Sequence, residues 1–422
     1  MDVSNLRVVP EWNEETEETG VTIVRRSVPM PAREAVRIEV DLDAIVSNAR
    51  AVQEQIGIET GILAILKADA YGHGLAPVAS ALHHGAIVTG FVVTSVVDAL
   101  VLDGIRIDRP ILCMPPTWEG RYAEVIQRGV IPVIGSLGDL QQFAHAARRS
   151  DITSPVHVKI DTGMARLGIR EDGVDAFLIA ASRSPELKIT GLCTHLTSAD
   201  AEDDAATTRQ LDTFDRVLTR FRAAGHKPTM LHAANTAATW RHPRARFGHV
   251  RTGIALFGGD TPSGAKLTPA LRLISRIVQL RVVKRGEAVS YGETWVAMRP
   301  SVVATVPVGY AHGFPRRLAG KAEVLIHGQR CPVLGTICME MMLVDVTDMM
   351  MPTIGDEVVL FGDQGDEAIL ATDVAQGIDA IVEEIFCGLS KTVPRDYVRL
   401  GQRTLSITMP DDEEEGPASF TF

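Results

Sequence analysis

Cysteine is scarce in this sequence and never paired. Five occur, Cys113, Cys193, Cys331, Cys338 and Cys387, and none forms a C-x-x-C pair. That scatter argues against a disulfide framework and a cysteine-based zinc site, so no metal is expected. A reducing cytoplasm suits it. Positive charge is also in deficit: the net charge is −11 and the pI about 5.6. General nucleic-acid or anionic-membrane binding needs basic patches and is not expected. No apolar run approaches the roughly 18 residues of a membrane span. The acidic stretch Glu11–Glu18 stands where a signal peptide would need a basic and then an apolar region. A second acidic block, Asp411–Glu415, follows Pro410; both ends read as solvated tails.

What is present is apolar material in short bursts. Hydrophobic residues make up 45% of 422 residues, enough for two domains. The burst Ile62–Leu66 has the length of a buried strand and ends abruptly in Lys67, followed by a Gly-rich turn to Gly74. Further runs follow at Gly90–Val93, Ile111–Met114, Val130–Ile134, Val156–Ile160, Ile189–Cys193, Thr229–His232 and Val250–Ala255. Segments of helical composition lie between them, such as Leu75–His84, Leu137–Arg148, Val174–Ser182 and Thr207–Ala224. Buried strands alternating with helices imply a parallel sheet, and about eight units of this length favour a closed (β/α)8 TIM barrel. After Gly258-Gly259 the texture becomes strand-rich, from Leu271–Lys284 to Glu357–Phe361. The α/β barrel is therefore expected over 35–264 and a mostly-β C-terminal domain over 265–408. Residues 1–34 read as a tail with a strand to offer the β domain, and 409–422 as an acidic tail.

In such a barrel, chemistry sits at the C-terminal ends of the strands. The odd polar clusters of this chain fall there: Lys67 to Tyr71, Lys159 to Gly168, Thr194-His195, His232 to Thr236, and Arg251 to Ile254. Singly, each has a plain explanation. Lys67 could be a rim lysine, His195 a hydrogen-bonded core histidine, Arg166 an ion-pair partner and Thr236 a helix cap. Convergence on one barrel face is harder to explain that way. An amine held close to a low-dielectric site is the setting in which lysines form Schiff bases. A hydroxyl with exposed N–H groups at Gly253 and Ile254 suits a phosphate.

Five motifs in order resemble alanine racemase: K-A-D-A-Y-G-H-G at Lys67, K-I-D-T-G-M-A-R-L-G at Arg166, H-A-A-N-T-A-A at Thr236, S-Y-G-E-T-W at Tyr291 and G-T-I-C-M-E at Met339. The resemblance spans about Arg37 to Tyr397. It implies pyridoxal 5'-phosphate (PLP) held by Lys67, which also acts as one base. Tyr291, reaching in from the other subunit of a homodimer, is the implied second base. Tyr71, Thr236, Gly253 and Ile254 are implied phosphate ligands, with Asn235 and Tyr310 also at the cofactor. Arg251 would face the pyridine nitrogen and His195 would link it to Tyr291. Arg166 would support the cofactor phenolate and approach the substrate, as would Met339, and Lys159 would be carbamylated. Two bases on opposite faces suit racemisation, and an arginine will not protonate the pyridine nitrogen.

Some positions depart from the family pattern. The expected G-Y-A-D-G is Gly309 to Gly313 with His312 in place of aspartate. The arginine expected three residues before Met339 is Thr336, and a tyrosine expected near the C-terminus is Glu383. Thr336, Glu383 and Arg316 are the candidate gate of a substrate corridor. Two readings follow: an alanine racemase, or a racemase of a larger or polar amino acid such as serine, lysine or arginine. A PLP decarboxylase of similar architecture is disfavoured by Arg251 and Tyr291.

Overall fold

A computed structural model describes residues 7–11, 20–24, 35–115, 117–259, 264–265 and 267–407. The chain divides into two compact units, Leu42–Ala270 and a second made of Met1–Asp41 with Leu271–Phe422.

The first unit is the expected barrel. Its strands are Gly61–Ile65, Gly90–Val93, Ile111–Cys113, Ile131–Ile134, Ser154–Asp161, Leu187–Cys193, Met230–His232 and His249–Thr252. Each corresponds to one apolar run of the sequence. They pair in parallel in chain order, and the last pairs with the first, Arg251 level with Leu63, so the sheet closes. Leu63, Val92, Leu112, Val133 and Cys193 pack together. Residues of five different strands can meet only inside the barrel, so this cluster is its inner layer. Helices follow the strands, several with capped starts: Ser136 Oγ accepts from Asp139 N–H at 3.0 Å at the head of Leu137–Ser150.

The second unit is a long, mainly antiparallel sheet. Its strands run, in spatial order, Gln279–Val283, Ser301–Val306, Met342–Asp345, Gln329–Leu334, Glu323–Ile326, Glu357–Gln364, Leu271–Arg276, Arg37–Asp41, Arg395–Arg399 and Gln402–Ile407. Two expectations are corrected here. Arg37–Asp41, assigned to the barrel by the boundary at residue 35, lies in this sheet beside Leu271–Arg276. Its alternation explains why: Ile38 and Val40 are fully buried, while Arg37 and Glu39 pair with Glu357 and Arg272 at 2.8 and 2.7 Å. One wet face fits an antiparallel sheet and not a barrel strand covered on both sides. The stretch Leu271–Lys284, read as continuous, is two strands with a corner at Ile277-Val278. Ile277 N–H bonds to Asp356 and Val278 N–H to Thr305, each joining a different neighbour. In the N-terminal segment, Arg7–Glu11 and Gly20–Val24 pair with each other and not with this sheet. The acidic segment 409–422 lies outside the described residues.

Candidate active site

Lys67 follows the first barrel strand and its side chain is exposed, with Nζ 5.5 Å from the centre of the Tyr71 ring. The low-dielectric setting expected for this amine is not found within the unit. The turn after Lys67 is left-handed: Ala68, Asp69, Ala70 and Tyr71 have φ of 52°, 55°, 52° and 55°. Such residues cost roughly 1–2 kcal/mol each in this conformation. The turn is held by its surroundings. Asp69 Oδ1 accepts from Leu75 N–H at 2.7 Å, and His73 Nδ1–H donates to the Tyr71 carbonyl at 2.9 Å. The His73 ring stacks on Phe257 at 4.2 Å and Tyr71 packs on it at 5.2 Å. The result is a phenol aimed at Gly253, where a Cβ would lie 2.2 Å from the Tyr71 oxygen. Only glycine admits that approach. Gly253 and Ile254 lead into the short turn Ile254–Phe257, whose first N–H groups have no partner within the turn.

Arg251 is buried and almost spent on the barrel. Its Nη1 donates to the His232 carbonyl at 2.5 Å and to His232 Nδ1 at 3.1 Å. Its Nη2 donates to the carbonyls of Thr194 at 2.7 Å and Ala233 at 3.2 Å, and to His195 Nδ1 at 3.2 Å. A guanidinium has five N–H bonds and no lone pair to offer. Among the described residues, the Nε–H alone has no acceptor. Because arginine only donates, His195 and His232 must both accept through Nδ1, and each carries its proton on Nε2. Burial and the adjacent Arg251 hold both rings neutral, His195 with a pKa of about 3 and His232 well below the usual range.

His232 Nε2 then donates to His157 Nδ1 at 2.9 Å, which extends the line into the barrel core. The His157 ring fits because residue 191 is glycine; a Cβ there would lie 2.4 Å from three ring atoms. Burial and nearby His249 put the His157 pKa at about 3. His157 was not among the expected site residues, and His232 was expected only as the start of a polar cluster at a strand end. The signal was available: along Ser154–Asp161, residues 157 and 159 share a face.

Lys159 is buried, and among the described residues its one hydrogen-bond contact is with Met114 Sδ at 3.8 Å. Burial, with Arg251 and Arg166 nearby, lowers its pKa. Arg166 is exposed and makes no ion pair among the described residues. Asp161 lies nearby, but its Oδ1 accepts from Gly163 and Ala165 N–H at 3.0 Å each. The mouth is therefore rich in cations: Arg251, Lys159, Arg166 and Lys67 all act on His195. It suits an anion. Asn235, expected at the cofactor, has its side-chain oxygen bound to Ala238 N–H at 2.9 Å. It is Asn235, not Thr236, that caps the helix Thr236–Arg241, and Thr236 is its first residue.

The remaining expected residues belong to the β unit. Tyr291 is 73% exposed on a turn whose backbone Thr336 grips, its hydroxyl donating to the Tyr291 carbonyl at 2.9 Å. Tyr310 N–H and Ala311 N–H donate to the carbonyls of Cys338 and Met339 at 3.2 and 2.8 Å, so the Tyr310 and Met339 loops are joined. His312, the departure from the family pattern, accepts from Gly309 N–H through Nδ1 at 3.2 Å, as a carboxylate could. Glu383 and Arg316, both expected at the corridor gate, do not pair with each other among the described residues. Glu383 lies half-buried in the first turn of Val382–Gly388, Arg316 is exposed on the turn Arg316–Leu318, and neither forms an ion pair among the described residues.

A closed eight-stranded barrel with its polar residues at one mouth, followed by a mostly-β unit, defines a class of barrel enzyme scaffolds. Comparison narrows it. Residues 40–261 match the alanine racemase N-terminal domain and 270–397 the alanine racemase C-terminal domain. The chain is 39% identical over 366 residues to the alanine racemase of Symbiobacterium thermophilum, covering 85% of this chain and 96% of that one. It is 38% identical over 373 residues to the alanine racemase of Sorangium cellulosum, covering 86% and 98%. Among solved structures, the Bacillus anthracis alanine racemase with bound L-Ala-P superposes with a TM-score of 0.83 at 32% identity, over 90% of this chain and 98% of that one. The Bartonella henselae alanine racemase with covalently bound pyridoxal phosphate gives 0.78 at 27%, over 87% and 100%. The chain belongs to the alanine racemase family. The reading of a larger or polar substrate finds no support among these relatives.

Proposed function

We propose that this protein interconverts L- and D-alanine, using pyridoxal 5'-phosphate, as a cytoplasmic homodimer whose subunits share their sites. The observation that carries the reading is Arg251: a buried guanidinium with its other N–H bonds committed to the barrel and Nε–H left for a ligand. The barrel mouth fits PLP. Lys67 would supply the amine that holds it, Tyr71 with Gly253, Ile254 and Thr236 would bind its phosphate, and Arg251 would meet its pyridine nitrogen. When bound, PLP supplies the electron sink that makes removal of a Cα proton feasible. A guanidinium there keeps its own proton, which favours racemisation over chemistry that needs a protonated ring.

The chain's own work is proton transfer at Cα. The Lys67 amine takes or gives the proton on one face, and the phenol of Tyr291 of the partner subunit does so on the other. His195, neutral with its proton on Nε2, can donate toward that phenol while Arg251 fills its Nδ1. Met339 and Arg166 border the substrate, and Asn235 and Tyr310 shape the cofactor site. Lys159, buried beside two arginines, is poised for carbamylation. Its neutral amine adds to CO₂, loses one proton and becomes an anionic carbamate facing Arg166. All five cysteines are free, consistent with a reducing compartment. No helix among the described residues is long and apolar enough to cross a membrane.

The test is racemisation of L-alanine by the PLP-loaded protein, followed by borohydride reduction and peptide mapping. The expected result is D-alanine formation with the label on Lys67. Failure to racemise, or a label elsewhere, overturns the reading.

A further inference from the structure

We infer that Thr336 and Ser290 form a reciprocal hydroxyl clamp that positions Tyr291, so that Thr336 serves the reaction as a positioning residue and not as a gate. The inference rests on the proposed role of Tyr291 as a base.

The turn that carries Tyr291 is strained. Ser290 has φ 65° and ψ 178°, a region occupied almost only by glycine, and Glu293 has φ 50°. Such conformations cost of order a few RT and persist only where neighbours over-determine them. The neighbour here is the loop that carries Thr336. Ser290 Oγ–H donates to the Thr336 carbonyl at 2.5 Å, and Thr336 Oγ1–H donates to the Tyr291 carbonyl at 2.9 Å. The two hydroxyls thus bracket the Ser290–Tyr291 peptide. Each residue lends its side chain to the other loop's backbone, so neither loop moves without breaking a bond. Cys338 Sγ adds a weaker contact to the Thr336 carbonyl at 3.6 Å, and Cys338 leads directly to Met339. With the side chain of Tyr291 mostly exposed, the support this unit gives it runs through the backbone that carries it. An arginine at 336, the residue the family pattern leads one to expect, has no β-hydroxyl to close this clamp.

The test compares Thr336→Val, which keeps the shape and removes the hydroxyl, with Thr336→Ser, which keeps the hydroxyl. A base displaced by a fraction of an ångström should cost about tenfold in kcat, with KM for alanine changed less than about threefold. Hydrogen exchange of the free and PLP-loaded protein supplies a readout apart from activity. The peptide covering 288–296 should exchange faster in Thr336→Val, while Ser301–Val306 stays unchanged. Thr336→Ser should restore both measures. Should Thr336→Val fold poorly, Ser290→Ala breaks the other half of the clamp and is expected to behave alike. Unchanged kcat in Thr336→Val overturns the inference, as does a fall in kcat without faster exchange over 288–296. Tyr291→Phe separates the two claims. If it racemises normally, the role of Tyr291 falls whatever the exchange data show; if it is inactive while Thr336→Val is unaffected, only the clamp falls.

Discussion

The two halves of the proposed site are built in opposite ways. In the barrel, a line of polar groups from Arg251 through His232 to His157 is buried and spends its bonds within the core, while Lys67 and Arg166 stand exposed at the rim. In the β unit, Tyr291, Met339 and Tyr310 are 73%, 56% and 43% exposed, and only the backbones beneath them are tied. Ionic chemistry that must keep its charge and tautomer is placed where the core enforces both. The exposed side chains of the β unit stand on turns tied by their backbones. The difference lies in support: the buried line of the barrel is held by its own unit, whereas Tyr291, Met339 and Tyr310 are held within theirs through the backbone.

The sharpest way to break this comparison is to disable each half in a separate chain. Lys67→Ala and Tyr291→Phe should each lose at least about a hundredfold in racemisation rate as pure proteins. If each site takes Lys67 from one chain and Tyr291 from another, unfolding and refolding an equal mixture restores one intact site in every mixed dimer. Random pairing then gives about a quarter of wild-type activity. No recovery, with dimer exchange shown by mass, would mean that both groups act within one chain.

The next test is pH, because only the barrel half buries a line of neutral histidines. An unfolded histidine takes up its proton near pH 6.5, whereas His157 and His195 hold out to about 3 in the folded protein. Between those values the unfolded chain binds more protons. Stability is therefore full above pH 6.5 and falls as the pH drops toward 3. Each such histidine contributes a slope of about 1.4 kcal/mol per pH unit in that window. Denaturant midpoints measured between pH 4 and 8 should fall toward acid, and His157→Gln should flatten the slope by about one histidine's share. An unchanged slope would mean that His157 is not held neutral by the fold.

A smaller effect is expected at Asn235. Its amide oxygen caps Thr236–Arg241, so Asn235→Ala should cost about 1 kcal/mol in stability. PLP affinity should fall as well, because the cap fixes the first residue of that helix, Thr236. Titrating the free protein with PLP checks this; unaltered affinity would remove Asn235 from any cofactor role.

The same division governs what could be read from the sequence. Barrel strands are covered on both faces, so each appeared as a plain apolar run between helices, and all eight were legible. Lys67 and Arg251 stood out as polar residues at the ends of barrel strands, and Tyr291 stood out through its motif. Features made by distant contacts were not. The left-handed turn at Ala68–Tyr71 depends on Phe257 and Gly253, which no local pattern connects to it. Arg37–Asp41 showed its alternation, but only its cross-strand partners Arg272 and Glu357 revealed which sheet it joins. His157 was hidden because it lies inside a run read as a buried strand, and the space for its ring is provided by a glycine on the next strand. Thr336 looked like a departure from a pattern, and its hydroxyl instead ties down the turn of Tyr291.

The smallest effect concerns Glu383 and Arg316, two of the residues expected at the gate of a substrate corridor. Neither forms an ion pair among the described residues, and Glu383 sits in the first turn of Val382–Gly388, where a carboxylate faces the positive end of the helix. Its stabilising role is then local and independent of Arg316. A double-mutant cycle of Glu383→Gln and Arg316→Gln should show coupling below about 0.5 kcal/mol in stability, since unpaired charges without a shared partner act additively. The single change at Glu383 should cost roughly 0.3–1 kcal/mol through the helix dipole, less at high salt. Neither change should bring serine, lysine or arginine within about a hundredfold of alanine in kcat/KM, a margin of roughly 2.7 kcal/mol. Coupling well above that limit would show that the two side chains meet in solution and would return them to the substrate path, beside the exposed half of the site.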